Sequence, residues 1–184
     1  MFVWIFLAVI VVLLLWGVAI YNRLVRLRAL VHEGFSGITV QLRRRADLVP
    51  NLVETVKGYA THERETLDAV VAHRGDAMNA GSVAATAQAD NAMTAMLGRL
   101  FAVAEAYPEL KASTNFLELQ RELTETEDRI AAGRRFYNAN VRAMNTRVEA
   151  FPSNLVAGVF GFHKEEYFEV EDEAVRAAPT VDFS

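Results

Sequence analysis

The first stretch of the chain is apolar at nearly every position, whereas the rest is apolar at about every third or fourth position. Residues 2–20 contain no charged side chain. As a helix rising about 1.5 Å per residue they would reach roughly 29 Å, close to the thickness of a bilayer's hydrocarbon core. Trp4, Trp16 and Tyr21 lie near the ends of this apolar segment, where aromatic rings favour the headgroup level. The pattern predicts a transmembrane anchor over residues 1–22.

The charges that flank the apolar segment bear on its processing and orientation. No Lys or Arg precedes it, whereas Arg23, Arg26 and Arg28 follow it. A cleaved signal peptide, which is the alternative, carries its basic residues in front of the apolar part, so we expect an uncleaved anchor. Basic flanking residues are retained on the cytoplasmic side, which predicts an N-terminus outside and a cytoplasmic main domain.

From residue 24 onwards the apolar spacing is typical of amphipathic helices, and there is no sustained alternation of the kind that marks a strand. The breaks in this spacing predict four helices: residues 24–49, residues 51–78, residues 83–106 and a long bundle or coiled-coil seam from 114 to 151. The predicted fold is therefore all-α. In it, the N-terminal transmembrane helix continues into an antiparallel up-and-down four-helix bundle with long helices, over residues 23–151.

Three local features refine this prediction. Pro50 predicts that the first helix stops and a second one starts, because proline is tolerated in a first turn and disruptive further inside. Ser82 is the predicted N-cap of the third helix. Gly34 and Gly37 would weaken the first helix unless they permit close approach of a neighbouring helix.

Residues 152–184 form an acidic, aromatic-containing C-terminal tail, which we expect to be extended or irregular. Seven acidic residues stand there against Lys164 and Arg176. The tail could dock a partner or fold back on the bundle, and its aromatic rings slightly favour folding back, because exposed aromatics are costly in a free tail. The candidate docking residues are Phe162, Tyr167, Phe168 and Glu169.

The net charge of the 184 residues is −4 at pH 7, but its distribution is uneven. Residues 21–49 contain six arginines against Glu33 and Asp47. Basic charge beside an apolar segment is a membrane pattern, and the broad basic face of a nucleic-acid-binding protein is missing. The chain contains no cysteine, which excludes disulfides, thiolate zinc sites, iron–sulfur clusters and thiol nucleophiles.

Three consecutive arginines, Arg43, Arg44 and Arg45, are a candidate patch for lipid or for a partner. The competing interpretation, which is the commoner outcome for arginines on a helix, is that they are solvated or paired with neighbouring acidic residues.

The pair His62 and Glu63 is the main candidate for chemistry. The helical spacing places Glu63 on an inward face, where a carboxylate needs charged or hydrogen-bonding partners. We favour a buried polar network of His62, Glu63, Arg74 and Arg134. The alternative is a membrane-tethered hydrolase or metal-dependent enzyme that uses Glu63 and His62.

Recognisable catalytic motifs are missing from the chain. No histidine has an acidic residue three positions before it, as the carboxylate-bridged di-metal bundles require. A Gly-x-Ser-x-Gly sequence is also missing, so no serine has the setting of a hydrolase nucleophile. We therefore predict no catalytic residue, no metal site, no cofactor and no small-molecule substrate.

Four sequence blocks, in order along nearly the whole chain, are similar to one protein family. The strongest is VQLRRRADLVPNLVETVKGYATHE at residues 40–63. The others are AYPELKA at 106–112 with Phe116, RRFYN at 134–138 with Asn145 and Phe151-Pro152, and Gly161-Phe162 leading to Tyr167-Phe168-Glu169. With these blocks the chain resembles the LemA family of bacterial proteins. The pattern that the family shows near His73 is altered here.

The resemblance implies a single N-terminal span and an up-and-down helical bundle in the bacterial inner membrane, with no established catalytic activity. Family members are associated with membrane-linked processes and with other membrane proteins, including a magnetosome-associated relative. We therefore expect a non-enzymatic scaffold or adaptor, anchored in lipid through residues 2–20. It would organise partner membrane proteins or form a homo-oligomer.

Overall fold

The computed structural model describes residues 1–60, 67–71 and 81–169, and within these ranges the chain is helical and contains no strand. The helices are α1 (Phe2–Lys57), α2 (Val83–Glu105), α3 (Pro108–Lys111), α4 (Thr114–Glu149) and α5 (Ser153–Phe160), and residues 67–71 are also helical. The predicted all-α class is confirmed, as is the continuation of the N-terminal apolar helix into the folded domain. The bundle's helix count remains a prediction, because residues 61–66 and 72–80 lie outside the described ranges.

The predicted break at Pro50 is wrong, because α1 runs through this residue to Lys57. A proline inside a helix removes one hydrogen bond and costs about 3 kcal/mol. Val49, Leu52 and Val53, which flank Pro50, are all buried. Burying each of these side chains contributes about 1.5–3 kcal/mol, which is enough to offset the proline. Tertiary packing thus overrides the local signal.

The described residues form two compact units, and α1 and α4 each contribute to both. Unit 1 consists of Met1–Arg45 and Glu122–Tyr167. Unit 2 consists of the described residues of 46–121 together with Phe168 and Glu169. The division falls inside helices because the buried side chains of these long helices belong to different cores along their length.

The core of unit 1 is the interface between α1 and α4. Its buried apolar side chains include Leu24, Leu27, Val31, Ile38 and Leu42 from α1, and Leu123, Ile130, Tyr137, Val141 and Met144 from α4. Glycine allows the two backbones to approach closely, since a Cβ atom added at Gly34 would lie 3.1 Å from the Tyr137 Cα atom. A Cβ atom added at Gly37 would have no neighbour within 4 Å outside the adjoining helix backbone. The close approach predicted from these glycines is therefore present at Gly34 and absent at Gly37.

The core of unit 2 is built from the end of α1, residues 67–71, α2, α3 and the start of α4. Buried side chains here include Val56, Leu67, Val70, Met93, Leu97, Leu100, Leu110 and Phe116. The Ser82 N-cap is confirmed, because its side chain accepts a hydrogen bond of 3.1 Å from the Ala85 backbone N–H. The rings of Phe101 and Phe116 pack edge to face with centroids 6.1 Å apart.

The tail differs from its prediction over its first part. Residues 153–160 form α5 rather than an extended segment. The Ser153 hydroxyl donates to the carbonyls of Arg147 and Ala150, which ties the start of α5 to the end of α4. Gly161, with a φ of 68°, ends α5 in a left-handed conformation that glycine adopts without strain. Residues 161–169 have no regular secondary structure.

Candidate interaction surfaces

The apolar segment at the start of α1 is the first candidate surface. Among the described residues, α1 is the one helix long and apolar enough to cross a membrane, and none of its most apolar window is buried. Large side chains from Phe2 to Val18 are exposed all around the helix. A helix of this length that is apolar on every side has the composition of a membrane anchor.

The second surface lies where the tail returns to the beginning of α1. The Phe162 ring is buried and contacts Tyr21, with ring centroids 5.8 Å apart. The Arg28 guanidinium carbon lies 4.9 Å from the centroid of the same ring, which is within the range of a cation–π interaction. The Tyr21 ring also packs against Phe160 at 4.8 Å. Residues 160–162 therefore cover the part of α1 that directly follows the apolar segment.

Two side chains of α4 hold the tail backbone in place. Asn145 forms a pair of hydrogen bonds with Glu165: its amide donates to the Glu165 carbonyl at 2.9 Å, and its oxygen accepts from the Glu165 N–H at 2.8 Å. The Tyr137 hydroxyl donates to the Glu166 carbonyl at 2.7 Å. Lys164 and Glu149 form an exposed ion pair beside them. The irregular tail thus obtains from side chains the hydrogen bonds that regular structure supplies elsewhere.

These contacts also change the pKa of the Tyr137 hydroxyl. Burial, together with the negative charges of Glu165 and Glu166, raises the pKa of Tyr137 from 10.0 to about 12. Both causes act in the same direction, since burial and nearby carboxylates each disfavour the phenolate. The neutral hydroxyl therefore remains a hydrogen-bond donor well above neutral pH.

These contacts change the predicted docking surface. Phe162 and Phe168 are buried within this chain, whereas Tyr167 and Glu169 are exposed. The interpretation that the tail folds back is therefore confirmed for residues 162–166, which contact α1 and α4 in unit 1. Phe162 and Phe168 are corrected from docking residues to core residues, because each ring gains more by burial here than by exposure. Tyr167 and Glu169 remain candidates for docking.

The three consecutive arginines have two different environments. Arg45 is only 1% exposed, and its guanidinium lies 2.5 Å from a Glu127 carboxylate oxygen. Arg43 and Arg44 are exposed. The predicted patch is therefore wrong at Arg45. The helical position of this residue directs its side chain into the core, where it needs a carboxylate partner. The candidate patch consists of Arg43 and Arg44.

The proposed polar network remains a prediction. His62, Glu63 and Arg74 lie outside the described residues, as does the enzymatic alternative that depends on His62 and Glu63. Arg134 is half-buried and has an interaction partner. Within the described ranges, no group of three or more His, Asp or Glu side chains could hold a metal ion.

Among the described residues, a shallow groove lies on the surface of each unit. The groove of unit 1, about 320 Å³, is lined by Trp16, Ala19, Ile20, Arg23 and Arg147. The groove of unit 2 is about 110 Å³ and is lined mainly by Phe101, Lys111, Phe116 and Leu117. The first groove places two guanidinium groups at the end of the apolar segment.

Sequence reasoning missed several residues of these surfaces. In the sequence, Glu127 and Arg147 have the pattern of ordinary helix charges, and Asn145 stands out only as part of a family block. A usable signal existed for Asn145, since it directly follows Met144 on the apolar stripe of α4 and a polar amide at a core boundary needs a partner. For Glu127 the partner is 82 positions away along the chain, so no local pattern could identify it.

Over the described residues the fold is all-α, and one helix there is long and apolar enough to span a membrane. The model of the LemA family matches residues 34–183, and the chain belongs to this family. The relatives include Magnetosome protein MamQ 2 of Paramagnetospirillum magneticum, 27% identical over 175 residues. Magnetosome protein MamQ of Magnetospirillum gryphiswaldense is 25% identical over 174 residues, and Protein LemA of Metamycoplasma hominis is 26% identical over 152 residues.

These similarities extend over most of the present chain but over less of the relatives. The matches cover 81%, 80% and 82% of this chain, respectively. They cover 64% of each of the two magnetosome proteins and 69% of Protein LemA. The chain therefore spans about two thirds of the length of the magnetosome relatives, and their roles apply to it only as hypotheses.

Proposed function

We propose that this chain is a single-pass inner-membrane protein whose helical domain lies in the cytoplasm and serves as a scaffold or adaptor, without enzymatic activity. The observation that carries the proposal is the continuity of α1. One helix contains the exposed apolar segment and then, without a linker, the buried stripe of unit 1. A flexible tether would leave the domain free to rotate, whereas a continuous helix holds it at a fixed distance from the bilayer.

The position of Arg43 and Arg44 favours a protein partner over lipid. Both residues follow Ile20 by more than 20 positions along α1, which corresponds to roughly 35 Å of helix. Attraction to lipid headgroups decays within a Debye length of about 8 Å at physiological salt. The exposed pair is therefore suited to an acidic surface on a membrane-protein partner or on a second copy of this chain.

The magnetosome relatives are consistent with this role. Both are magnetosome proteins by name. A protein that organises other membrane proteins needs an anchor and a charged outward face, and this chain offers both. Anchoring also raises the local concentration of any second membrane protein, so that weak contacts become effective.

The partner surface can be tested with a photo-reactive residue at Val40, which lies exposed on α1 one turn before Arg44. In native membranes we expect this residue to cross-link the chain to one partner protein, which gives a single adduct of constant stoichiometry. The charge reversal Arg43→Glu with Arg44→Glu should abolish the adduct. A matched reversal at two other exposed arginines, Arg121→Glu with Arg142→Glu, should leave it unchanged. If the adduct is absent, or persists after the first reversal, the scaffold proposal is wrong at this surface.

Point variants are preferable here to removal of the tail. A chain cut after Phe151 would lose the buried Phe162 ring and the partners of Tyr137 and Asn145. Loss of a partner would then be indistinguishable from loss of folding.

Orientation is tested separately. The chain has no cysteine, so Val40→Cys introduces a single thiol. We expect a membrane-impermeant maleimide to label this thiol only after spheroplasts are permeabilised. Labelling of intact spheroplasts would place the domain on the outer side and overturn the proposed orientation.

A further inference from the structure

The exposed side of α5 is more apolar than its buried side. Phe151, two residues before the start of α5, and Leu155 and Val159 within it are spaced four residues apart, and they are 78%, 60% and 79% exposed. Ser153 and Ala157, on the opposite side, are buried. The helix thus directs small residues towards the protein and large apolar residues away from it. Residues 151–160 contain no charged side chain.

The location of α5 indicates what covers this face. Phe160, its last residue, packs against Tyr21 at 4.8 Å, and Tyr21 directly follows the apolar segment. The exposed face of α5 is therefore close to the level at which α1 leaves the hydrocarbon core. An apolar helix face at this level is adjacent to a continuous apolar phase, namely the bilayer that the apolar segment spans.

The surroundings of α5 match the chemistry of a bilayer surface. Arg23 and Arg147 line one groove together with Trp16, Ala19 and Ile20, so two guanidinium groups lie at the end of the apolar segment. With the proposed anchor in a bilayer, this is the level of the lipid phosphates. Tyr21 and Trp16 are the residue types that favour the headgroup region. The Ser153 hydroxyl, which bonds to the Arg147 carbonyl at 2.7 Å, ties the start of α5 to this region of unit 1.

We propose that α5, together with Phe151, forms a second membrane contact. Its face of Phe151, Leu155 and Val159 lies in the boundary between headgroups and acyl chains of the leaflet in which the apolar segment ends. The physical basis is that of interfacial helices in general, which bury one apolar face a few ångströms into this boundary. The contact prevents the domain from turning about the axis of α1. The proposal rests on the proposed anchor.

Depth-dependent fluorescence quenching tests the contact in the full chain. Single-cysteine variants carry an environment-sensitive fluorophore at Val159→Cys or Leu155→Cys on α5, at Val12→Cys in the apolar segment, and at Val40→Cys as the control. Val12, Val40 and Val159 are all exposed valines. The protein is reconstituted in vesicles of phosphatidylethanolamine and phosphatidylglycerol, with bromine placed on the acyl chains either near the headgroup or near the chain end. Circular dichroism confirms that each variant is folded.

We expect bromine near the headgroup to quench the labels on α5 by about twofold or more, and bromine near the chain end to quench them less, as for a shallow interfacial helix. The label at Val12 should respond most to deep bromine, and the label at Val40 should not respond. Quenching at Val12 without quenching at Val159 and Leu155 overturns the α5 contact and leaves the anchor intact. Absence of quenching at Val12 overturns the anchor itself.

A second copy of the chain is the alternative cover for the α5 face. In that case the labels on α5 would be shielded from aqueous iodide but not quenched by brominated lipid. The shielding would also decline as the protein is diluted in the vesicles. This outcome overturns the lipid contact.

Discussion

Two parts of α1 contain similar apolar residues but show opposite patterns of exposure. Between residues 2 and 18 the large side chains are exposed on every side of the helix. Between residues 24 and 45 exposure follows the helical period: buried residues recur every three or four positions, and the residues between them are exposed or half-buried. The first part of the helix therefore suits a medium that is apolar in all directions. The second part suits a position where only one side of the helix faces a protein core.

Three valines of α1 illustrate this difference in exposure. Val12 is 63% exposed, Val31 is 2% exposed and Val40 is 61% exposed. Val12 and Val40 have nearly the same exposure, although only Val12 lies in the segment that we assign to the bilayer. Exposure alone does not distinguish lipid from water, and the composition of the neighbouring positions does. Four sets of substitutions test the comparison, from the largest expected effect to the smallest.

Arginine placed at each of the three valines should give three different results. Val31→Arg buries an unpaired charge in unit 1 and should lower the free energy of unfolding by more than about 4 kcal/mol. Val12→Arg should leave the domain folded and weaken membrane insertion by about 2.5–3.5 kcal/mol. Val40→Arg should change neither quantity by more than about 0.5 kcal/mol. Denaturant unfolding and a translocon insertion assay measure the two quantities, and equal effects at Val12 and Val40 would contradict the assignment of the apolar segment.

Substitution of the buried and of the exposed arginine of α1 should give a smaller difference in the free energy of unfolding than substitution of the valines. Arg45→Ala removes a buried side chain that pairs with Glu127, and should lower the free energy of unfolding by about 2–4 kcal/mol. Arg44→Ala, one residue away at an exposed position, should change it by less than about 0.5 kcal/mol. Chemical denaturation of both variants checks the difference. Similar values would show that Arg45 is not part of the core.

Alanine at the two glycines of α1 should have effects of opposite sign. Gly34→Ala brings a Cβ atom to 3.1 Å from the Tyr137 Cα atom, and this overpacking against backbone should cost about 1–3 kcal/mol. Gly37→Ala enters open space, and its better helix propensity should add up to about 1 kcal/mol. Thermal unfolding of the two variants measures both changes. If both substitutions stabilise the protein, α1 and α4 are not as close as the structure shows.

The smallest effect concerns the tail that covers part of α1. Tyr137→Phe removes the hydrogen bond to the Glu166 carbonyl and should lower the free energy of unfolding by about 1 kcal/mol at neutral pH. The pKa of Tyr137 is about 12 in the folded chain against its ordinary 10.0. Because the folded-state pKa is the higher one, the associated stabilisation is complete below about pH 10 and is lost as the pH rises towards 12.

The pH dependence supplies the control for this prediction. Between pH 10 and pH 12 the free energy of unfolding should fall more steeply in the unmodified chain than in Tyr137→Phe. Tyr59→Phe, at an exposed tyrosine, should retain the steep fall. Parallel curves for the unmodified chain and Tyr137→Phe would mean that this hydroxyl is not buried against the tail.

The features that could be predicted from the sequence depend on residues that are close together in the chain. The apolar segment, the helical period and the Ser82 cap are each visible within one or a few helical turns, because hydrophobic periodicity and capping act over that distance. The aromatic rings of the tail favoured its folding back, because exposed aromatics are costly in a free tail. The sequence allowed a close helix approach at both Gly34 and Gly37, because the two glycines have the same local surroundings. Only the position of Tyr137 in the tertiary structure shows that the approach occurs at Gly34.

The sequence by itself therefore determined that this protein is helical, that one end of α1 suits a bilayer, and that it belongs with the LemA family. The tertiary structure decided which arginine is buried, whether α1 continues through Pro50, and where the tail lies. The reason is that each of these outcomes depends on a partner far away along the chain, such as Glu127 for Arg45 or Glu166 for Tyr137. Local helix propensities amount to about 1–3 kcal/mol. Burial against distant partners and hydrogen bonds to them contribute energies of the same size, so they can override the local preference.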